Sequence, residues 1–371
     1  MSLPMIPAAK PIIGEDERRA VDAVLASGMV AQGPEVKAFE AEFAEHFTPG
    51  RACVAVNSGT SGLHLGLLAA GIGPGDEVIV PSFTFAATGN AVALTGATPV
   101  FADIEPDHFC LDPESIRASI TERTKAIMPV HLYGHPANMP AIRALADEHG
   151  LMVFEDAAQA HGASLNGEQV GTFGTFAMFS LYPTKNMTSG EGGMVACATE
   201  EIARNVRLLR NQGMETQYAN ELVGLNNRMT DIHAAIGRVQ LTKVDAWTAQ
   251  RQANAKFLDA HLEGVTTPPV ADGAVHVYHQ YTIRIPGAAG AERDRVVTAL
   301  REEHQVGSGV YYPIPNHRLA SLAPYAPGLE LPETERAAAE VISLPVHPSL
   351  SQDDLERIVT AVNTVVVKAG A

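Results

Sequence analysis

The sequence predicts an α/β fold: a large domain on a mostly parallel sheet flanked by helices, followed by a smaller C-terminal α+β domain. Three observations lead there. Short apolar runs alternate with amphipathic stretches of about ten residues, the signature of βαβ units. The short runs are apolar almost throughout, as in a sheet covered on both faces. Beyond a long helical pattern ending near Ala253, the texture changes.

Taken in order, Glu15 to Ser27 and Glu35 to Phe47 read as helices, and Ala52 to Val56 as a strand. Ser61 to Ala70 is helical and ends before the turn Gly71-Ile72-Gly73-Pro74-Gly75-Asp76. Glu77 to Val80 is a strand, Thr84 to Leu94 a helix, and Pro99 to Ala102 a strand. Ala126 to Val130, Leu151 to Glu155 and Thr175 to Ser180 read as further strands, with a helix from Met139 to His149. Arg228 to about Ala253 reads as one long helix. Tyr278 to Ile285 alternates like a half-buried strand, and Asp294 to Glu303 and Asp353 to Val367 are helical. The expected division is a large domain over residues 15–247 and a small one over 248–371, joined by residues 1–14.

Composition narrows the function. Hydrophobic residues make up 46% and charged residues 18%, an ordinary globular balance. The formal charge of −16, from 42 acids against 26 bases, argues against a nucleic-acid binder. Cys53, Cys110 and Cys197 are few, odd in number and far apart, so neither a disulfide framework nor a zinc ribbon is expected, and no metal. No basic region leads into an apolar run at Met1 to Pro7, and no stretch approaches ~20 apolar residues. The expectation is a cytoplasmic protein.

Three segments carry the chemistry. The strand ending in Glu155 runs into Asp156, and α/β sheets bind ligands beyond the carboxyl ends of their strands. A carboxylate there pairs with a pyridinium nitrogen and keeps a ring cofactor electron-poor; Asp156 fits a helix N-cap equally well. In Phe179-Ser180-Leu181-Tyr182-Pro183-Thr184-Lys185-Asn186, a lysine stands in a mostly uncharged stretch before a glycine-rich turn. Desolvation lowers a lysine pKa and makes the amine nucleophilic, as a Schiff base requires; a surface-loop lysine is the plain alternative. Ser180, at the strand end, places a hydroxyl within reach of a phosphate. In Asn57-Ser58-Gly59-Thr60-Ser61-Gly62, small residues precede a helix whose first amides suit an anion. This segment has neither the Walker nor the dinucleotide glycine spacing, and it reads equally as a capped helix start. Phe85 offers an aromatic face to a planar ring, with core packing as its alternative. Asp231 reads as a first-turn charge on the long helix.

Together these segments resemble the DegT-type nucleotide-sugar aminotransferases of fold type I, which depend on pyridoxal 5′-phosphate. The resemblance runs from the first helix to Ser343-Leu344-Pro345-Val346-His347-Pro348. It is most specific in Glu155-Asp156-Ala157-Ala158-Gln159 and in Lys185-Asn186 followed by Gly190-Glu191-Gly192-Gly193. It implies that Lys185 holds the cofactor as a Schiff base and shuttles the proton, with Asp156 on the pyridine nitrogen and Gln159 on the ring hydroxyl. It further implies that Thr60, Ser61 and Ser180 hold the phosphate, that Phe85 stacks on the ring, and that Asn226 reaches the neighbouring subunit's phosphate in a homodimer.

The chain departs from the family pattern in two places. Leu225 and Asn227 flank Asn226, where many members have an aromatic, and Tyr311-Tyr312-Pro313 stands where many have His-Tyr-Pro. His317 keeps the position of a later histidine. Tyr311, Tyr312 and His317 are the candidate sugar contacts, with packing as the alternative role. The loop Thr188 to Gly193 looks like the form common in enzymes that aminate C4 of a keto sugar. The implied reaction is ping-pong transfer of an amino group from L-glutamate to a 4-keto-6-deoxy nucleotide sugar. A 3-keto sugar or cyclitol acceptor, or a catalytically silent regulatory protein, are the alternatives. Relatives that dehydrate the sugar lack the lysine, which is present here.

Overall fold

The computed structural model describes residues 4–288 and 290–369, and these contain a seven-stranded sheet. Its strands are Ala52–Val56 (β1), Glu77–Pro81 (β2), Thr98–Ala102 (β3), Thr124–Ile127 (β4), Met152–Asp156 (β5), Phe176–Ser180 (β6) and Gly193–Cys197 (β7). The spatial order is β1-β7-β6-β5-β4-β2-β3. All pairings are parallel except those of β7, which runs antiparallel to both neighbours. Two further strands, Tyr281–Arg284 (β8) and Val341–Leu344 (β9), pair antiparallel apart from this sheet.

The helices that matter here are Glu15–Ser27 (α1), Pro34–Phe47 (α2), Gly59–Ala69 (α3), Ala87–Leu94 (α4), Met139–His149 (α5), Asp231–Leu241 (α6) and Val244–His261 (α7). They are followed by Gly290–Glu302 (α8), Pro332–Glu340 (α9) and Gln352–Ala369 (α10).

Successive side chains of a strand point to opposite faces, and here both faces are covered. In β2, Val78 and Val80 join the core beneath α3, with Leu63 and Leu67, while Ile79 packs beneath α5 with Ile142 and Leu145. That double burial is why these strands are apolar almost throughout. A separate core gathers Leu258 of α7, Tyr281 and Ile283 of β8, Val296 and Leu300 of α8, Ile342 and Leu344 of β9, and Ile358 and Val362 of α10. Ile6 belongs to it, and its backbone pairs with the Gln305 to Gly307 segment.

Several elements differ from the sequence reading. α3 begins at Gly59, because the Ser58 side chain caps it by accepting the Ser61 N–H at 3.1 Å. α4 begins only at Ala87, which leaves Thr84 and Phe85 on the preceding loop. The stretch expected as one long helix is two, α6 and α7, meeting at Thr242-Lys243. Lys243 sends its ammonium to Glu17 of α1 at 2.9 Å. β8 starts at Tyr281, not Tyr278, because Tyr278 has a φ of 44° that no strand accommodates. It is buried on both faces, not one. Asp231, read as a first-turn charge, does more: its Oδ1 accepts the Gly33 and Val36 amides and so caps α2 from α6.

Among the described residues no helix is long and apolar enough to cross a membrane. None of the His, Cys, Asp and Glu groups among them is arranged to hold a metal ion. All three cysteines are buried and free, with thiols pushed up to about 12 by burial.

Candidate active site

The carboxyl ends of β1, β2, β5 and β6 open onto one cavity of about 370 Å³. β5 delivers Asp156 and, on the turn beyond it, Gln159. β6 delivers Ser180 and, five residues on, Lys185. The loop after β1 brings the start of α3 with Thr60, and the loop after β2 brings Phe85. All six line the cavity, and Tyr311 and Tyr312 line it from the C-terminal part of the chain.

Asp156 is buried and anchored on both oxygens. Oδ2 accepts from Thr88 Oγ1 at 2.8 Å, and Oδ1 accepts the Ala158 N–H at 3.2 Å. Burial pushes its carboxyl above the ordinary range, and these two hydrogen bonds pull it back. No helix starts after Asp156, so the N-cap alternative fails. Burial also pushes the Lys185 amine down, to about 8, with the Asp156 carboxylate opposing. A lysine so placed is not a surface-loop lysine, and its amine gives up its proton more readily than an ordinary lysine's. His279 shares the cavity wall and is held neutral by burial, with its Nδ1 unpartnered.

The start of α3 forms an anion cradle. Ser58 takes the Ser61 amide, and the Ser58 carbonyl takes that of Gly62. The Gly59 and Thr60 amides have no partner among the described residues. Gly59 lies so close to the end of β6 that a Cβ there would sit 3.1 Å from Ser180 Cβ and 3.3 Å from Ser180 Oγ. Helix amides and a strand-end hydroxyl therefore converge on one point, the arrangement that suits phosphate. Phe85 is 63% exposed, which rules out core packing and leaves its ring available at the mouth.

Three expected residues stand elsewhere. Ser61 turns inward, its hydroxyl accepting from Ser58 Oγ at 2.9 Å, and is not on the cavity wall. Asn226 is exposed on the loop before α6, outside its own chain's cavity. His317 is buried away from it, with Nδ1 2.6 Å from Ser82 Oγ and Nε2 3.1 Å from Glu335 Oε1. Both its ring nitrogens are engaged in tying the β2 loop to α9, so His317 has nothing left to offer a sugar.

Sequence reasoning missed Thr88, Tyr133 and His279. Thr88 looks like any threonine in a helical stretch, and its meeting with Asp156 spans 68 residues. Tyr133 gives its backbone N–H to Gln159 Oε1 at 2.7 Å from a left-handed conformation, φ 57°, that its residue type gives no hint of. His279 sits in a segment that reads as strand.

A partly buried lysine of lowered pKa, a buried aspartate in the same cavity, an anion cradle and an exposed aromatic ring fit pyridoxal 5′-phosphate, and define a fold type I transferase that uses it. The comparisons identify the family. The model of the DegT/DnrJ/EryC1/StrS aminotransferase family matches residues 11–363, and the chain belongs to that family. It is 41% identical over 370 residues to a pleiotropic regulatory protein of Geobacillus stearothermophilus, covering 97% of each chain. It is 42% identical over 348 residues to the dTDP-3-amino-3,4,6-trideoxy-alpha-D-glucose transaminase of Streptomyces venezuelae, covering 92% of this chain and 90% of that one. Among solved structures, DesV of S. venezuelae in complex with a ketimine intermediate superposes with a TM-score of 0.91 at 40% identity, covering 97% of this chain and 99% of that one. Other solved relatives hold the cofactor in its pyridoxal or pyridoxamine form. The chain is an aminotransferase dependent on pyridoxal phosphate.

Proposed function

We propose that this enzyme moves an amino group from L-glutamate to a ketone of a nucleotide-linked deoxysugar. The observation that carries the reading is the single cavity shared by the Lys185 amine, the Asp156 carboxylate and the free amides of α3. When bound, the cofactor supplies an electrophilic carbon and an electron-withdrawing ring. The amides of Gly59 and Thr60, with the Ser180 hydroxyl, hold its phosphate. The Asp156 carboxylate would pair with the ring nitrogen and hold a proton there. Lys185 Nζ, whose pKa desolvation lowers, would form the covalent anchor and would take and return the substrate proton. General base catalysis of this kind contributes on the order of 10²–10⁴-fold in rate.

For the ring position, the loop Thr188 to Gly193 supports C4, and Glu191 of that loop lines the cavity. A second reading, amination at C3, is favoured by the S. venezuelae relative, whose name places its amino group at C3. The dimer belongs to the same proposal: Asn226 is exposed beside Val223 and Leu225, themselves exposed, and is assigned to the partner subunit's phosphate.

The test uses the cofactor's visible absorption. L-Glutamate should bleach it, and, after its removal, a nucleotide-linked 4-keto-6-deoxyglucose should restore it and yield an amino sugar by mass. Restoration by the 3-keto isomer alone moves the reaction to C3. No response to glutamate rejects the donor. A chain that responds to no donor or acceptor would share the regulatory role that the Geobacillus relative's name describes.

A further inference from the structure

Gln159 is held at both ends of its carboxamide. The Tyr133 backbone N–H can only donate, so the group it meets at 2.7 Å is the oxygen, Oε1. That fixes Nε2, which donates to Tyr312 Oη at 2.8 Å. Nε2 carries two hydrogens, and the second is left for the cavity that Gln159 lines. The two tyrosines that set this orientation form one unit. Their rings stack 6.3 Å apart at 15°, and Phe83 packs edge-on against both. Both have positive φ, 57° at Tyr133 and 63° at Tyr312. Two non-glycine residues in the left-handed region cost free energy, and such strain persists only where surrounding packing over-determines it, often at a functional site.

We infer that Tyr312 is a positioning residue: with the Tyr133 amide it locks the Gln159 carboxamide so that one N–H is presented to the ring hydroxyl of the bound cofactor. This rests on the reading of Gln159 as the ring-hydroxyl partner. It gives Tyr312 a role through Gln159, not as a sugar contact. A hydrogen bond donated to that oxygen draws charge from it. The proton that the oxygen shares with the Lys185 nitrogen is then easier to lose. Loosening Gln159 should make that proton harder to lose.

The readout is the pH at which the visible absorption of the cofactor-loaded protein changes, measured without substrate. Tyr312→Phe keeps the ring and its stacking and removes only the hydroxyl. It should raise the transition by about half a unit to one unit, the size of one hydrogen bond. Gln159→Leu should raise it by at least as much, and Tyr312→Phe added to Gln159→Leu should produce no further shift. If Gln159→Leu leaves the transition in place, the reading of Gln159 is wrong and the inference falls with it. If Gln159→Leu moves the transition and Tyr312→Phe does not, the inference alone is overturned. A Tyr312→Phe variant with an unmoved transition and a raised KM for the sugar would return Tyr312 to the substrate pocket.

Discussion

Thr88 Oγ1 donates a 2.8 Å hydrogen bond to Asp156 Oδ2, and both groups are buried. Burial raises the Asp156 pKa, and a protonated carboxyl cannot hold a cationic ring nitrogen. The hydroxyl of Thr88, on α4, is one of two donors that oppose this, with the Ala158 amide as the other. A buried aspartate is thereby kept closer to its anionic form.

Thr88→Val keeps the shape and removes the donor. A hydrogen bond to a charged group contributes about 1.5–3 kcal/mol, so cofactor affinity should fall at least tenfold at neutral pH. The Asp156 pKa, already raised, should rise further, so affinity should be lost at a higher pH on acidification than in the parent. Titration of the apoprotein with pyridoxal phosphate from pH 5 to 8 checks this, and Thr88→Ser should restore it. Equal affinities for Thr88→Val and the parent across that range would show that the bond does not hold Asp156.

Lys185 gives a pH-dependent stability. Burial lowers its amine from the ordinary 10.5 to about 8. Below about 8 both folded and unfolded chains hold the proton, and the folded chain bears the full desolvation cost. Between about 8 and 10.5 the unfolded chain binds more protons, so stability rises with pH and the cost disappears. Cofactor-free Lys185→Met should therefore be more stable than the cofactor-free parent at pH 7, by up to about 3 kcal/mol. The gap should shrink to about 1 kcal/mol by pH 10. Urea midpoints at the two pH values measure it, and a gap that does not change with pH contradicts the argument.

What the sequence disclosed and what it hid follow from how local each signal is. Helix α1 and strand β1 are readable to the residue because their periodicity and bounding residues lie within a few positions. The joint between α6 and α7 is not readable: apolar spacing continues through it, and Lys243 is drawn aside by Glu17, 226 residues away. Lys185 and Asp156 are visible because each follows an apolar strand and breaks its composition. Their supports are not visible, since Thr88 and Tyr133 meet the site only through chain crossings. Exposure removes core packing as the role of Phe85, and burial with both ring nitrogens engaged sets His317 in the packing, distinctions that residue type does not make.

The buried Glu155 side chain, next to Asp156, gathers four polar contacts. Oε1 accepts the Phe173 and Gly174 amides, and Oε2 accepts that of Gly171 and lies 3.1 Å from His131 Nε2. The Ala137 amide donates to His131 Nδ1, which puts the ring proton on Nε2, facing the carboxylate. Glu155→Ala strands the buried Gly171 amide, the partly buried amides of Phe173 and Gly174 and the buried imidazole, and should destabilise by about 3–5 kcal/mol. Glu155→Gln, which keeps an acceptor, should lose less. A urea midpoint for Glu155→Ala within error of the parent would rule this role out.

Gly59 separates binding from folding. It opens α3 at a negative φ, so alanine is allowed by the backbone and is the better helix former. Yet its Cβ would stand 3.1 Å from Ser180 Cβ and 3.3 Å from Ser180 Oγ. Met178 Sδ stands equally close at 3.1 Å, so a few tenths of an ångström must be yielded by Met178 and by Ser180, the hydroxyl proposed to hold the phosphate. Gly59→Ala should therefore leave the urea midpoint of the cofactor-free chain close to the parent's while lowering affinity for pyridoxal phosphate about tenfold, the equivalent of one weakened charge-assisted hydrogen bond. Pyridoxal without its phosphate should bind parent and variant alike. Discrimination that persists with pyridoxal would mean that the added methyl obstructs the ring, and the start of α3 would no longer be the phosphate cradle.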